Sequence, residues 1–193
     1  MDASGNVGIG TASPTGKLDV SSRGITKGSM PAGSILQVVS TPKTSTSSVS
    51  NTGNTFVEID TAFRVTITPS TSSNTILLSC YITAGATGGT VRYKLQYSTN
   101  AGSTFNDVTP LADASSSHGQ AHFGYPTNSD TNQVTTVAIE LLHSPATTSS
   151  IIYRVLFGGD LNQTYQFNRS VNYPNSFLGS GYVSTLIAKE VAV

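Results

Sequence analysis

The segment SSSHGQAH holds the residue types of a serine hydrolase: Ser117, His118 and His122 lie close together, and Asp113 precedes them. Such an enzyme needs a hydroxyl, an imidazole and a carboxylate that are hydrogen-bonded in series. Neighbouring residues of a strand point to opposite faces, however, and the sequence lacks the G-x-S-x-G turn that presents a nucleophilic serine. In a chain this rich in serine we interpret the grouping as coincidence, and we expect no catalytic residues.

Metal binding and sugar hydrolysis are the other chemistries that ionisable side chains could support here. His118 and His122 could share an ion, and Asp107, Asp113 or Asp130 could offer oxygens to Ca²⁺, but their spacing fits no recognised ligand pattern. Glycoside hydrolysis needs two facing carboxyl groups, whereas the ten acidic residues are scattered over the chain. We therefore expect no metal site, no cofactor and no enzymatic activity.

Sugar recognition is the binding chemistry that two polar stretches, residues 118–132 and 160–177, favour. Saccharides present flat apolar ring faces edged by hydroxyls, and an aromatic platform beside amide and carboxylate groups suits both features. The alternative is that the same side chains anchor loops to the core and form Asx turns. The candidate receptor-binding residues are Phe123, Tyr125, Asn128, Asp130, Asn162, Gln163, Tyr165, Asn172, Tyr173, Asn175 and Phe177.

The elements that must position these stretches are β-strands. Only 10% of the residues are charged, and the abundant Thr, Val, Ile and Tyr suit a pleated sheet. Short strands bounded by Gly, Pro, Asn and Ser clusters predict an all-β, antiparallel, jelly-roll-like sandwich. The predicted strands cover residues 33–41, 54–69, 74–84, 90–99, 120–125, 133–143, 150–157, 164–170 and 182–193.

Hydrophobic patterns indicate which strand faces are covered. In VRYKLQYST (91–99), apolar and aromatic residues alternate with polar ones, which predicts one buried face and one wet face. TILLSCYI (75–82) and SIIYRVLF (150–157) are nearly continuous apolar runs, as in strands that are covered on both sides. The chain also stays apolar to Val193, so we expect its last strand to be central in a sheet, near a subunit interface.

Charge and cysteine content argue against several classes of partner. The net charge is zero, so no basic surface is available for nucleic acid, and no apolar run is long enough for a membrane-spanning helix. We expect neither nucleic-acid binding nor membrane insertion. The single cysteine, Cys80, lies in an apolar run, which is typical of a buried free thiol.

The N-terminal stretch GNVGIGTASPTGKLDV (5–20) alternates apolar and small residues but is too poor in bulky side chains to bury a core. It resembles the NVGIGT-x-x-P-x-x-KLDV stalk repeat of phage tail fibres and related trimeric surface fibres. The resemblance implies an intertwined three-chain connector over residues 1–30, followed by a sandwich tip domain over residues 31–193. In such a trimer, Val7, Ile9, Leu18 and Val20 would pack around the threefold axis.

The C-terminal stretch FNRSVNYPNSFLGSGYVSTLIAKEV (167–191) resembles the end of jelly-roll fibre tips from marine phages, especially cyanophages. The matching positions are Asn168, Arg169, Ser170, Ser184, Thr185 and Glu190. This chain has Gly181-Tyr182 where those tips often have Arg-Gly, and Lys189 where they often have Met. The segments PAGSILQVVST, TGNTFVEID and TITPSTSSNTILL also look like the opening of these tips.

Together the resemblances imply a homotrimeric tail-fibre tip on the outside of a virion. Its N-terminus would join other tail or fibre proteins, and its distal loops would bind a host surface glycan. A non-adhesive virion component, such as an adaptor, collar or capsid decoration protein, is the main alternative. A trimeric C1q/TNF-like module outside phages shares the fold but does not predict the stalk motif, and a depolymerase is a minor further alternative.

Overall fold

The computed structural model describes residues 3–19, 30–52, 55–111, 120–127, 130–172 and 181–193. Within them the regular structure is β-strand, with no helix, and hence no helix long and apolar enough to cross a membrane. The strands are β1 (Val7–Gly8), β2 (Leu18–Asp19), β3 (Ile35–Lys43), β4 (Ser47–Asn51), β5 (Phe56–Glu58), β6 (Arg64–Ile67), β7 (Thr75–Gly85), β8 (Thr90–Ser98), β9 (Asn106–Asp107), β10 (Phe123–Pro126), β11 (Thr135–His143), β12 (Ile151–Gly159), β13 (Gln163–Phe167) and β14 (Ser184–Val191).

Two antiparallel sheets form a sandwich. In sheet I, β14 and β13 follow one another along one edge of β7, with β3 and β4 outside them, and β11 lies on the other edge of β7. In sheet II, β12 lies between β8 and the pair β5 and β6, and β8 carries β9 and β10 on its outer edge. The chain crosses repeatedly from one sheet to the other, which is the jelly-roll arrangement. The predicted fold class is confirmed.

The core lies between the sheets and contains the inward residues of alternating strands. Val91, Tyr93 and Leu95 are fully buried on one side of β8, as the alternation predicts. The other face is not wet as predicted, because Arg92 is buried and Lys94 and Gln96 are half-buried. Phe157 packs against Tyr165 and also against Phe167, each at 5.1 Å between ring centroids. The last strand, β14, pairs with both β3 and β7 and is therefore central in sheet I, as predicted.

Some predicted strand boundaries were wrong. The strand predicted over 54–69 is two strands, because the Asp60 carboxylate accepts the Ala62 N–H at 2.9 Å and turns the chain between β5 and β6. Strand β4 was missed because its sequence, SSVSN, has one bulky residue, Val49. The predicted strand over 164–170 stops at Phe167, since the next residue, Asn168, has a left-handed backbone with φ of 58°.

Asn168 joins three segments of sheet I from a fully buried position. Its side-chain NH₂ donates to Lys43 O at 2.6 Å and to Ser45 O at 3.0 Å, and its side-chain oxygen accepts the Ser184 hydroxyl at 2.6 Å. Asparagine tolerates a positive φ better than most residues. The N-R-S turn therefore has a structural role at its first residue, which closes the end of β13.

We expect Asn168→Gly to lower the free energy of unfolding by about 2 kcal/mol, because buried hydrogen-bonding groups lose their partner. Asn168→Ala should cost roughly 1 kcal/mol more, since alanine also strains at positive φ and glycine does not. Urea unfolding at matched protein concentration measures both values. Equal losses for the two variants would show that backbone strain contributes nothing at this position.

Candidate functional site

His122, the catalytic candidate that the structure describes, is held by backbone groups on both ring nitrogens. Leu95 N–H donates to Nδ1 at 2.9 Å, so Nε2 carries the proton and donates to Val108 O at 2.8 Å. The imidazole thus connects β8 to the segment after β9. The other members of the hydrolase-like grouping, Asp113, Ser117 and His118, lie outside the described residues.

The structure predicts a loss of stability in mild acid. Burial lowers the pKa of His122 below its ordinary value, and burial does the same for His143, whose Nδ1 lies 2.7 Å from the Tyr153 hydroxyl. At pH values below about 6.5, the ordinary histidine pKa that applies to the unfolded chain, the unfolded chain binds more protons than the folded protein, whose histidine pKa values are lower. Stability is therefore complete above about pH 6.5 and falls as the pH drops towards 5.

Thermal unfolding between pH 7.5 and 5 tests this expectation. The double variant His122→Gln, His143→Gln should have a flatter pH profile than the unaltered protein, because neither glutamine titrates. A variant whose melting temperature falls as steeply as that of the unaltered protein would assign the acid sensitivity to other groups.

The aspartates considered as metal ligands already have protein partners. Asp107 accepts hydrogen bonds from Lys94 at 3.1 Å and from Gln96 at 2.8 Å, and Asp130 accepts the Asn132 N–H at 2.9 Å. In the described part of the chain, no three His, Cys, Asp or Glu side chains are grouped so as to hold a metal ion. Cys80 is fully buried, and burial raises the pKa of its thiol far above the ordinary value.

The two predicted receptor-binding stretches meet at one end of the sandwich, which we call the distal end. Thr127 N–H donates to Gly89 O at 2.7 Å, and Thr90 N–H donates to the Asp160 carboxylate at 2.6 Å. The loop between β7 and β8 therefore connects the loop after β10 to the loop after β12. The Thr90 N–H also holds the pKa of Asp160 below its usual range, so this carboxylate is ionised at neutral pH.

A second contact closes the distal end. Asn172 N–H donates to Thr131 O at 2.8 Å, and the Asn172 side chain donates to the Asn132 side chain at 3.2 Å. Residues from 118–132 and from 160–177 thus touch directly, although they are far apart in the sequence.

The chain enters sheet I at the opposite end of the sandwich. Ile35 at the start of β3 pairs with Val191, and Val191 pairs with Thr75 at the start of β7. From there β7 runs for 11 residues to Gly85 at the distal end. A strand rises about 3.3 Å per residue, so the two ends are separated by roughly 33 Å.

A cavity of about 220 Å³, the aromatic pocket, opens between the edge strands β10 and β11 at the distal end. The Tyr125 ring lies 6.3 Å from the Tyr93 ring and nearly parallel to it. Burial raises the pKa of Tyr125, so its phenol stays protonated. Phe123, 40% exposed, lies beside it at 6.4 Å. The pocket is lined by Ala84, Ala86, Tyr125, Pro126, Thr127, Gln133 and Thr135.

A second, more open cavity of about 220 Å³ lies beside β4 and β13, and we call it the amide pocket. Its lining is polar: the Ser50 and Thr164 hydroxyls are hydrogen-bonded at 2.9 Å, and the Asn51 side chain donates to Thr55 O at 2.6 Å. Asn162, a predicted receptor-binding residue, belongs to this lining together with Thr52.

The structure separates the predicted receptor-binding residues into groups. Phe123, Tyr125, Asp130, Asn162 and Asn172 reach the surface at or near the distal end. Gln163 is the first residue of β13, and the structure describes its backbone but not its side chain. Asn128, Tyr173, Asn175 and Phe177 also lie outside the described residues, as does the stalk residue Val20.

The prediction that Tyr165 binds the receptor is wrong. Its side chain is fully buried and packs against Phe157 in the core, so it offers no surface to a receptor. Alternation along β13 explains this placement, because Tyr165 and Phe167 share the inward face while Thr164 faces out. The same alternation is visible in the sequence TYQF and could have excluded Tyr165.

The sequence analysis missed Thr127, Gln133 and Thr135 as pocket residues. Thr127 lies inside a stretch that was considered, but Gln133 and Thr135 begin the next predicted strand. The predicted strands over 74–84, 120–125 and 150–157 are the third, fifth and seventh of the chain. Every second strand of an antiparallel sandwich ends on the same side, so the loops after these three strands are expected to share one end. The order of the strands could therefore have brought these loops together, whereas the pocket that Tyr125 and Thr135 share required the structure.

Comparison with known proteins adds little. No protein-family model and no curated protein match the sequence. Among solved structures, the chain is similar to infectious bursal disease virus of the Gx strain (9% identity, TM-score 0.38) and of the Gt strain (11%, 0.38), and to the VP2 subviral particle of the same virus (11%, 0.34). Each match covers 81% of this chain but only 36%, 38% and 37% of the other chain. Similarity at this level carries no argument about function.

Proposed function

We propose that this chain is a structural protein of a virion: the trimeric tip of a tail fibre, which attaches the particle to a saccharide on the host surface. The observation that carries the proposal is that the two ends of the sandwich differ. The chain enters sheet I at one end, and the loops with exposed aromatic and amide groups cluster at the other, roughly 33 Å away. An attachment protein needs this separation between its anchor and its binding surface.

The two outer faces of the sandwich differ in a way that favours self-association through sheet I. On sheet II, Glu58 pairs with Arg64 at 2.6 Å and with Arg154 at 3.1 Å, and Lys94 pairs with Asp107. This face is charged and suited to water.

Sheet I presents an apolar outer face, which we call the sheet I face. Across four neighbouring strands, Val38, Lys189, Leu77 and Leu142 lie in one row. Val38 is 58% exposed and Leu142 is 55% exposed. Tyr81, four residues beyond Leu77 in β7, is 41% exposed. Contiguous exposed apolar residues of this kind mark interaction sites. Homotrimerisation through the sheet I face would cover them.

The stalk stretch, residues 5–20, also exposes apolar side chains that self-association would cover. Val7 in β1 pairs with Leu18 in β2, and the Val7 N–H donates to Lys17 O at 2.9 Å. Val7 is 41% exposed and Ile9 is 57% exposed in the single chain. Three copies around an axis would bury these side chains, as the resemblance to trimeric stalks implies.

Native mass spectrometry and labelling of virions test the proposal together. We expect a stable trimer, gold label at the end of tail fibres, and competition by the purified protein against adsorption of virions to host cells. A stable monomer would overturn the fibre-tip proposal. Label confined to the capsid shell would favour the alternative, a non-adhesive adaptor, collar or decoration protein.

A further inference from the structure

The aromatic pocket combines a fixed ring with a polar wall. Tyr125 is stacked beside Tyr93 and also packs beside Phe123, so neighbouring rings set the orientation of its ring before any ligand arrives. Gln133, which also lines the pocket, is exposed two residues before β11, and its N–H donates to Asp130 O at 3.2 Å. Binding pockets typically join apolar and aromatic surface to a few placed polar groups, as here.

The size of the pocket favours a single ring. Its volume of about 220 Å³ is below the range of roughly 300–1,000 Å³ of pockets that enclose drug-sized ligands. Thr127 forms part of its rim and is fixed twice to the backbone: its N–H donates to Gly89 O at 2.7 Å and its hydroxyl donates to the same oxygen at 3.1 Å. A rim held in this way is preorganised, which lowers the entropic cost of binding.

The charges around the pocket discriminate between classes of sugar. None of the seven lining residues is ionisable at neutral pH. The charged side chains described in the neighbouring loops include Asp130 and Asp160, which are negative. Arg92 is only 8% exposed, and Arg169 donates to Gln166 at 2.9 Å and to Ser48 at 2.6 Å. A carboxylate or phosphate in the pocket would lose its hydration without gaining a counter-charge.

We propose that the aromatic pocket binds one ring of a neutral saccharide and rejects acidic sugars. The apolar face of the sugar lies on Tyr125, and its hydroxyls bond to Gln133 and to the threonine hydroxyls of the rim. This inference rests on the proposed function, because it names the ligand class of the same distal surface.

Matched pairs of methyl glycosides test the ligand class directly. Glucose with glucuronic acid, and galactose with galacturonic acid, differ within each pair by one carboxylate. Ligand-observed NMR titration should detect at least one neutral glycoside, and its acidic counterpart should bind at least tenfold more weakly. Equal or tighter binding of the acidic member, or binding of no neutral glycoside, would overturn the inference.

Two alanine variants locate the binding. Gln133→Ala alters an exposed pocket residue and should weaken binding of the neutral glycoside about tenfold, while Asn162→Ala in the amide pocket should leave it unchanged. Thermal unfolding confirms that both variants keep their fold. The reverse pattern would move the site to the amide pocket and contradict the inference.

Adsorption to host cells separates this inference from the proposed function. If the unaltered protein binds host cells and Gln133→Ala binds them equally well, the pocket inference is wrong and the adhesin proposal stands. If the unaltered protein does not bind host cells, the adhesin proposal itself fails.

Discussion

The double variant Val38→Asp, Leu142→Asp is expected to be a folded monomer. Both side chains are more than half exposed in the single chain, so their replacement removes little from its own core. In a trimer that covers the sheet I face, the same substitutions would bury two unpaired carboxylates per subunit. Burying unpaired charge costs several kcal/mol for each group, which exceeds what most interfaces can lose.

Native mass spectrometry and light scattering measure the outcome, and circular dichroism confirms the retained β-structure. Leu161→Asp is the matched control, because Leu161 is 46% exposed but lies at the distal end, away from the sheet I face. We expect the control to remain trimeric. A trimeric double variant would show that the subunits associate through another surface.

Lys189 and Glu140 shape the same face. The Lys189 ammonium donates to the Ser79 hydroxyl at 3.2 Å, and that hydroxyl donates to Glu140 at 2.9 Å, so a polar line crosses the apolar residues. Ser79 is completely buried beneath these two longer side chains. A polar line within an apolar face restricts how copies can pair, because each charge needs a partner in the assembled state.

The fold class could be predicted because local patterns and turn residues agree along most of the chain. The buried face of β8 and the central position of β14 could both be predicted from the sequence, because each depends on the pattern of apolar and polar side chains within one segment. Strand β4 was not, because SSVSN acquires its strand conformation from pairing with β13 rather than from its own propensity. The split of the 54–69 segment depended on one side chain, that of Asp60.

The candidate site was predictable only in part for a related reason. Aromatic and amide composition identified Tyr125 and Asn162, and the structure places them in two separate pockets. Proximity in sequence suggested one surface for Asn162 and Tyr165, but the strand sends Tyr165 into the core. Composition describes which side chains are available, whereas the face of a strand decides which of them a ligand can reach.

Glu190→Ala is expected to lower the free energy of unfolding by about 4 kcal/mol. Glu190 is fully buried in β14, and its carboxylate accepts the Ser70 N–H and hydroxyl at 2.6 Å, the Asn74 amide at 2.7 Å and the Gln37 amide at 2.6 Å. These bonds connect the last strand to β3 and to the turn after β6. Bonds to a charged group contribute about 1.5–3 kcal/mol each, and removing the acceptor leaves buried donors without a partner.

Glu190→Gln should cost about 2 kcal/mol, because the amide keeps one acceptor oxygen but places an NH₂ group against the other donors. Asp130→Asn is the matched control: this exposed side chain keeps its acceptor for Asn132, and the change should stay within about 0.5 kcal/mol. Guanidinium unfolding at pH 7 and matched concentration gives the three values. A loss below 1 kcal/mol for Glu190→Ala would show that the hydrogen bonds only offset the cost of burial.

The pH dependence of the Glu190→Gln effect distinguishes charge from shape. Desolvation alone would raise the pKa of Glu190, but the hydrogen bonds from Ser70, Asn74 and Gln37 outweigh it and hold the pKa below the ordinary value of 4.5. The carboxylate therefore stabilises the fold above about pH 4.5, and this contribution is lost as the pH falls through the lower folded pKa. We expect the difference between the unaltered protein and Glu190→Gln to shrink between pH 5 and pH 3. A difference that stays constant over this interval would assign the effect to packing rather than to the charge.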